Sequence, residues 1–295
     1  MHDPEMMKQM AEGKGFIAAL DQSGGSTPGA LKGYGVSEDA YANDEEMYGL
    51  IHAMRSRIIT SPCFGGGKVI GAILFEKTMD GEIDGRPVPD VLKERGIVPF
   101  LKVDKGLEDE ADGVKLMKPM PGLGDLLDRA KAKGIFGTKM RSVIERANPA
   151  GIAGIVEQQF QVADEIIDAG LMPIIEPEIS LKSPERAEAD VMLHRELVKA
   201  LDALPADRQV MLKLSLPAEA GLYDEIVKHP RVLRIVALSG GYSREDACRE
   251  LAKNRGMIAS FSRALLSELR HHMSDDEFDA SLSGAIDHIS SASAT

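Results

Sequence analysis

Apolar runs of five to seven residues punctuate the chain: "GFIAAL" (15–20), "VIGAILF" (69–75), "VPFLKV" (98–103), "FGTKM" (136–140), "MPIIEP" (172–177), "VMLKL" (210–214), "LRIVAL" (233–238) and "MIASFS" (257–262). They are short and rich in branched residues, and they lack the apolar-polar alternation of half-exposed strands. Strands covered on both faces have this character. Between several runs the apolar positions change to three- and four-residue steps. Ile152, Ile155, Val156, Ala163, Ile166 and Ile167 make one such stripe, closed by Gly170, and Leu193, Leu197, Leu201 and Leu204 make another. Ser243 stands three residues before Asp246, and Ser274 three before Glu277, the spacing of capping boxes that open helices. The second of these helices would carry Phe278, Leu282, Ala285 and Ile289 along one face.

Eight strands separated by helices, in 295 residues, predict an α/β chain folded as a single (β/α)8 TIM barrel, with an open doubly wound sheet as the rival. No linker divides the chain. One domain over residues 1–295 is expected, with a short N-terminal helix and a helical C-terminal end. The stretch "KTMDGEIDGRPVPDVLKERG" (77–96) reads as a long crossover loop, "EDEADG" (108–113) as a solvated acidic loop, "FGGGK" (64–68) as a turn, and the tail "SSASAT" as a frayed end.

Composition narrows the function. A formal charge of −12 without a lysine or arginine run argues against a nucleic-acid surface. No apolar stretch approaches the ~18 residues of a membrane span, and "MHDPEMMKQMAEGKGF" is not a leader sequence, so a cytoplasmic protein is expected. Cys63 and Cys248 form no CxxC or paired framework, which suits a reducing compartment. The seven histidines, His2, His52, His194, His229, His271, His272 and His288, avoid the strand ends and form no HxxxH pair. Neither a metal nor a cofactor is therefore expected.

Side chains at the C-terminal ends of barrel strands face the active-site mouth. Polar residues end most of the apolar runs here: Asp21, then Lys102, Asp104 and Lys105, Lys139 and Arg141, Glu176 and Glu178, Lys213, Ser239, and Arg263. Singly, each is as well explained by a snorkelling strand end or a polar turn. Together, several charges at one end of buried parallel strands would waste stability unless a site used them. Lys139/Arg141 and Glu176/Glu178 are each two apart and so share a face. Residues 139, 176 and 213 are spaced by 37, which predicts the same height on three successive strands.

This set suits amine chemistry. A lysine with apolar flanks and other cations nearby is a candidate nucleophile, because burial and like charges favour the neutral amine. The Lys213 amine could add to a ketone, and Glu176 on the neighbouring strand could expel water to leave an iminium, an electron sink. Cleavage of the adjacent carbon-carbon bond also needs a base for a hydroxyl, which Asp21 or Glu176 could supply. "LSGGYS" (238–243), with Ser239, Gly240 and Gly241 before a helix start, reads as a phosphate loop that Arg263 could help to neutralise. "DQSGGSTPG" (21–29), near Lys102, suggests a second anion site. A non-catalytic sugar-phosphate sensor is the alternative of another class, and it would have no use for the buried lysine.

The ordered set "FIAALDQSGGSTP", "GAILFE", "PFLKVDKG", "FGTKMRS", "PIIEPEI", "VMLKL", "LSGGYSRE" and "SFSRAL" resembles the class I fructose-1,6-bisphosphate aldolases, in their short bacterial form, over about residues 13–270. The resemblance implies reversible cleavage of fructose 1,6-bisphosphate to dihydroxyacetone phosphate and glyceraldehyde 3-phosphate. It implies Lys213 as the Schiff-base lysine, Glu176 as acid/base, Asp21 acting on the C4 hydroxyl, and Lys139 assisting charge development beside Glu178. Ser239, Gly240, Gly241 and Arg263 would hold the ketose-side phosphate. Ser23, Ser26 and Lys102 would line the rest of the path, with Arg141 in support. The expected partners are small phosphorylated sugars, with no nucleic acid and no membrane; a homo-oligomer is compatible with the sequence, and another lysine-dependent aldolase acting on a different phosphosugar is the runner-up. Two departures stand out: the last tyrosine is Tyr242, where animal members end in a tyrosine-bearing tail, and Met140 stands where they carry tryptophan.

Overall fold

The computed structural model describes residues 3–294; Met1, His2 and Thr295, the last residue of the predicted frayed tail, lie outside the described residues. Eight parallel strands follow chain order around a nearly closed barrel: β1 (Phe16–Leu20), β2 (Val69–Leu74), β3 (Val98–Lys102), β4 (Gly137–Ile144), β5 (Met172–Ile179), β6 (Val210–Ser215), β7 (Val232–Leu238) and β8 (Met257–Ala259). At the seam between β8 and β1 the Ala19 N–H donates to the Phe261 carbonyl at 3.1 Å. The main helices are α1 (Pro4–Glu12), α2 (Thr27–Tyr34), α3 (Asp44–Thr60), α4 (Val88–Glu94), α5 (Leu123–Ala132), α6 (Pro149–Asp168), α7 (Arg186–Ala203), α8 (Arg244–Leu251) and α9 (Asp275–Ser293).

Alternation along the strands builds two cores. One set of side chains meets the helices, as with Leu20, Leu74, Leu101 and Leu214 against Ile58, Ile155 and Leu197. The other set, including Ile17, Ala19, Phe100, Met172, Ile174, Met211 and Val236, fills the lower barrel. Helix α1 closes the floor with Met10, held by the Arg234 guanidinium donating to the Met10 carbonyl at 2.9 Å and by the Gln9 amide donating to the Ile70 and Gly96 carbonyls at 2.8 and 2.7 Å. Above this apolar plug the same inward rows turn polar: Ile17 and Ala19 lead to Asp21, Phe100 to Lys102, Ile174 to Glu176, and Met211 to Lys213.

Phe100 fits inside the barrel beside Gly71 and Gly137. A Cβ on Gly137 would lie 2.2 Å from the Met172 carbonyl oxygen and 2.9 Å from the Phe100 ring. Gly137→Ala is therefore expected to destabilise the fold by about 1–3 kcal/mol, since backbone and a packed ring cannot both retreat. Urea unfolding would measure this, and an unchanged midpoint would contradict it.

Several local expectations need correction. Residues 77–96 are not a plain crossover: they hold most of the short helix Glu76–Asp80, an antiparallel pair of Glu82–Ile83 with Arg86–Pro87, and α4. The tail is helical through Ser293 rather than frayed, because the buried Ser293 hydroxyl accepts the Ala259 N–H at 3.0 Å and donates to the Ile289 carbonyl at 3.0 Å. Helix α2 forms over part of "DQSGGSTPG", with Pro28 in its first turn, where a missing N–H costs nothing. Ser243 and Ser274 do cap α8 and α9, accepting the Asp246 and Glu277 N–H groups at 3.0 and 3.3 Å. Among the described residues no helix is long and apolar enough to cross a membrane.

Candidate active site

A cleft of about 730 Å³ opens at the C-terminal ends of the strands. Of the residues singled out in the sequence, Asp21, Ser26, Lys102, Lys139, Arg141, Glu176, Glu178, Lys213, Ser239, Gly240 and Arg263 line it. Ser23 and Gly241 are not among the lining residues. The Ser23 N–H donates to the Ser26 hydroxyl at 2.9 Å, and that hydroxyl donates back to the Ser23 carbonyl at 2.9 Å, forming a tight turn before α2. Gly241 sits behind Gly240, where a Cβ would lie 3.6 Å from the Arg263 guanidinium. Both glycines have positive φ, +58° at Gly240 and +117° at Gly241, so the turn between β7 and α8 favours glycine at each place.

The centre of the cleft is a chain of buried charges. Glu176 bridges two ammonium groups, with Lys213 Nζ 3.1 Å from Oε1 and Lys139 Nζ 2.9 Å from Oε2. Lys139 also meets Asp21 Oδ2 at 2.6 Å. All four side chains are at most 10 % exposed, so they interact through protein rather than water. Around them, Lys102 Nζ pairs with Asp104 at 2.7 Å, and Arg141 Nε with Glu178 at 2.5 Å. The buried Gln159 on α6 accepts the Glu176 N–H at 2.8 Å and so fixes the strand behind the carboxylate.

Equal sequence spacing only partly matches equal height. The pairing of Ile175 with Leu212 sets Glu176 level with Lys213, but on the other side Lys139 pairs with Ile174, and it is Arg141 that pairs with Glu176. The strands are staggered, as closure of a barrel requires. A two-residue offset preserves the inward face, and the long lysine side chain spans the difference.

Charge interactions assign different characters to these groups. Burial disfavours the Asp21 carboxylate, but Lys139, Lys213 and Lys102 outweigh it and hold its pKa well below the usual carboxylate range. Burial likewise works against Glu176, and Lys139 and Lys213 together still lower its pKa. Burial opposes the Lys139 ammonium, yet Asp21, Glu176 and Asp104 raise its pKa above that of an ordinary lysine. Both lysines line the cleft, but Lys139 is locked as a cation between two carboxylates, whereas Lys213 meets one. The arrangement offers one amine to a ligand, a second, fixed positive charge beside it, and carboxylates on either side.

Sequence reasoning missed Gln22, Arg55, Ser260 and Ser262 around this centre. Gln22, Ser260 and Ser262 line the cleft, and Arg55 is buried behind it on α3. Arg55 did leave a signal: it occupies a core-facing place among Ile51, Ile58 and Ile59, where an apolar residue is expected.

The fold and sequence have known counterparts. A solved structure of fructose-bisphosphate aldolase from Plasmodium falciparum, in complex with TRAP and a small-molecule inhibitor, is similar with a TM-score of 0.81 at 21% identity, covering 98% of this chain and 93% of that one. A Corynebacterium glutamicum protein is similar with a TM-score of 0.57 at 17% identity, covering 98% and 91%. At these identities the likeness concerns the fold. The sequence itself matches the family model described as glycolytic, fructose-bisphosphate aldolase class-I, over residues 5–216. With most of its length matched and a barrel of the same kind, the chain belongs to the class-I fructose-bisphosphate aldolase family.

Proposed function

We propose that the protein cleaves fructose 1,6-bisphosphate reversibly to dihydroxyacetone phosphate and glyceraldehyde 3-phosphate, through a Schiff base on Lys213 and without a metal. The observation that carries this reading is the buried lysine at a strand end, 3.1 Å from a carboxylate that a second lysine also holds. In the cleavage direction the Lys213 amine adds to the C2 ketone. Glu176 passes protons between nitrogen and oxygen, so that water leaves and an iminium forms. Asp21 takes the C4 hydroxyl proton, the C3–C4 bond breaks, and its electron pair moves into the iminium to give an enamine. Glyceraldehyde 3-phosphate departs. Protonation of the enamine at C3 and hydrolysis then release dihydroxyacetone phosphate and restore the amine.

Lys139 stays charged throughout and stabilises negative charge as it develops on oxygen. Ser239, the Gly240–Gly241 turn, the start of α8 and Arg263 suit the ketose-side phosphate. Ser26 and Lys102, which also line the cleft, are assigned to the other phosphate arm, with Ser23 hydrogen-bonded to Ser26 beside them. Among the described residues no cluster of three His, Cys, Asp or Glu side chains could hold a metal ion. Cys63 and Cys248 are free thiols, which supports a reducing, cytoplasmic setting.

Incubation with dihydroxyacetone phosphate and then borohydride should fix a covalent adduct on the peptide that contains Lys213, and cleavage should persist in a chelator. Labelling elsewhere, or loss of activity to the chelator, would overturn the reading.

A further inference from the structure

We infer that Arg55 is a positioning residue, which clamps the Asp21–Gln22 segment to the Ser262–Arg263 end of the cleft across the seam between β8 and β1; this rests on the Schiff-base reading above. Arg55 is 1 % exposed, and its hydrogen-bond partners are all neutral. It donates to the Thr78 hydroxyl at 2.7 Å, to the Gln22 carbonyl at 2.5 Å, and to Gln22 Oε1 at 3.3 Å. Burial lowers its pKa to about 10 against the opposing pull of Asp21 and Tyr48, so it remains charged at neutral pH. A buried guanidinium hydrogen-bonded only to neutral groups is expensive, and a packed apolar side chain would serve the core better.

The charge has a use at Gln22. Because arginine only donates, the Gln22 amide must turn its oxygen toward Arg55, which leaves its nitrogen to donate to the Ser262 hydroxyl and to the Ala19 carbonyl at 3.3 Å. One guanidinium thereby joins the exits of β1 and β8 and, through Thr78 on the short helix after β2, a third point on the rim. The proposed base Asp21 stands on one side of the seam and the phosphate anchor Arg263 on the other. Their separation sets where the C4 hydroxyl lies once the phosphate is held. The charged groups around Asp21 are Lys102 on β3 with Asp104 after it, Lys139 on β4, Glu176 on β5, Lys213 on β6, and Arg55 on α3.

Cleavage and Schiff-base formation separate this role from general support of the fold. Arg55→Met should reduce kcat for the bisphosphate by about 10–100-fold, the scale of a small misplacement of reacting groups. Borohydride labelling of Lys213 by dihydroxyacetone phosphate should be preserved. The acidic limb of the kcat profile should move to higher pH, since a cation that favours the Asp21 carboxylate is gone. Arg55→Lys should restore part of both. If Arg55→Met does not fold, Thr78→Val removes one anchor at nearly constant volume and should give a smaller loss in the same direction. Folded variants with wild-type kcat and an unmoved acidic limb would overturn the proposal, as would parallel loss of labelling and cleavage. Wild-type protein unlabelled at Lys213 would instead overturn the Schiff-base reading itself.

Discussion

Lys213→Met is expected to abolish borohydride trapping and to lower kcat by at least about 10⁴-fold, the scale on which removal of a covalent nucleophile is felt. The size follows from the geometry, because among the described residues the other lysines of the cleft are held by closer ion pairs than the 3.1 Å contact of Lys213. Lys139 is held between Asp21 at 2.6 Å and Glu176 at 2.9 Å, which raise its pKa above the usual lysine value, and Lys102 is paired with Asp104 at 2.7 Å. Methionine matches the length of the lysine stem and suits a strand flanked by Leu212 and Leu214. Glu176 keeps Lys139 as its counterion, so the variant should lose less than the about 3–5 kcal/mol typical of an orphaned buried charge. A steady-state assay with mass mapping of the trapped peptide checks this. An adduct that moves to Lys139 while activity persists would show that the nucleophile has been misassigned.

Glu176→Gln should have the second largest effect, and it should appear in stability as well as rate. The carboxylate is the shared counterion of two buried ammonium groups, 3.1 and 2.9 Å away. An amide of the same shape can accept from one but must turn donors toward the other. Loss of a proton-transfer group predicts a fall in kcat of about 10²–10⁴-fold. The broken pairs predict about 3–5 kcal/mol of destabilisation near neutral pH. The sign with pH follows from the lowered pKa of Glu176. A carboxylate stabilised in the fold contributes fully above its unfolded value of about 4.3, and that contribution is lost as pH falls through its folded value. The gap between the stability curves of the two proteins should therefore be full and level above about pH 5 and shrink as pH falls below about 4. Urea unfolding from pH 3 to 8 would test this; a constant gap would mean that the Glu176 charge does not carry the effect.

What the sequence disclosed depends on how local its cause was. Asp21, Lys139, Glu176 and Lys213 could be read because period-two alternation, acting within each strand, puts apolar residues below and charges above on the same face. The barrel was legible for a similar reason: eight buried runs with helices between them allow few arrangements. The stagger that pairs Lys139 with Ile174 was not legible, because it belongs to the closed sheet and to no single strand. Nor was the contact of Gln22 with Ser262, which lie 240 residues apart in the chain and meet only when the ends of the barrel close. Ser293 was hidden by composition: small polar residues read as a loose end, although this one completes a hydrogen bond to β8.

The cations of the cleft are largely spoken for before a ligand arrives. Lys102, Lys139, Arg141 and Lys213 each face a carboxylate of the chain, and among the described residues only Arg263 of the proposed phosphate groups lacks one. A doubly phosphorylated sugar diffusing in from afar thus meets the field of a body carrying −12, with little basic rim to draw it in. Dissolved salt, by shortening the reach of that repulsion to about 8 Å at physiological strength, should hasten capture instead of slowing it. Productive encounters would begin when a phosphate reaches Arg263, and selectivity would come from contacts made inside the cleft rather than from attraction outside it.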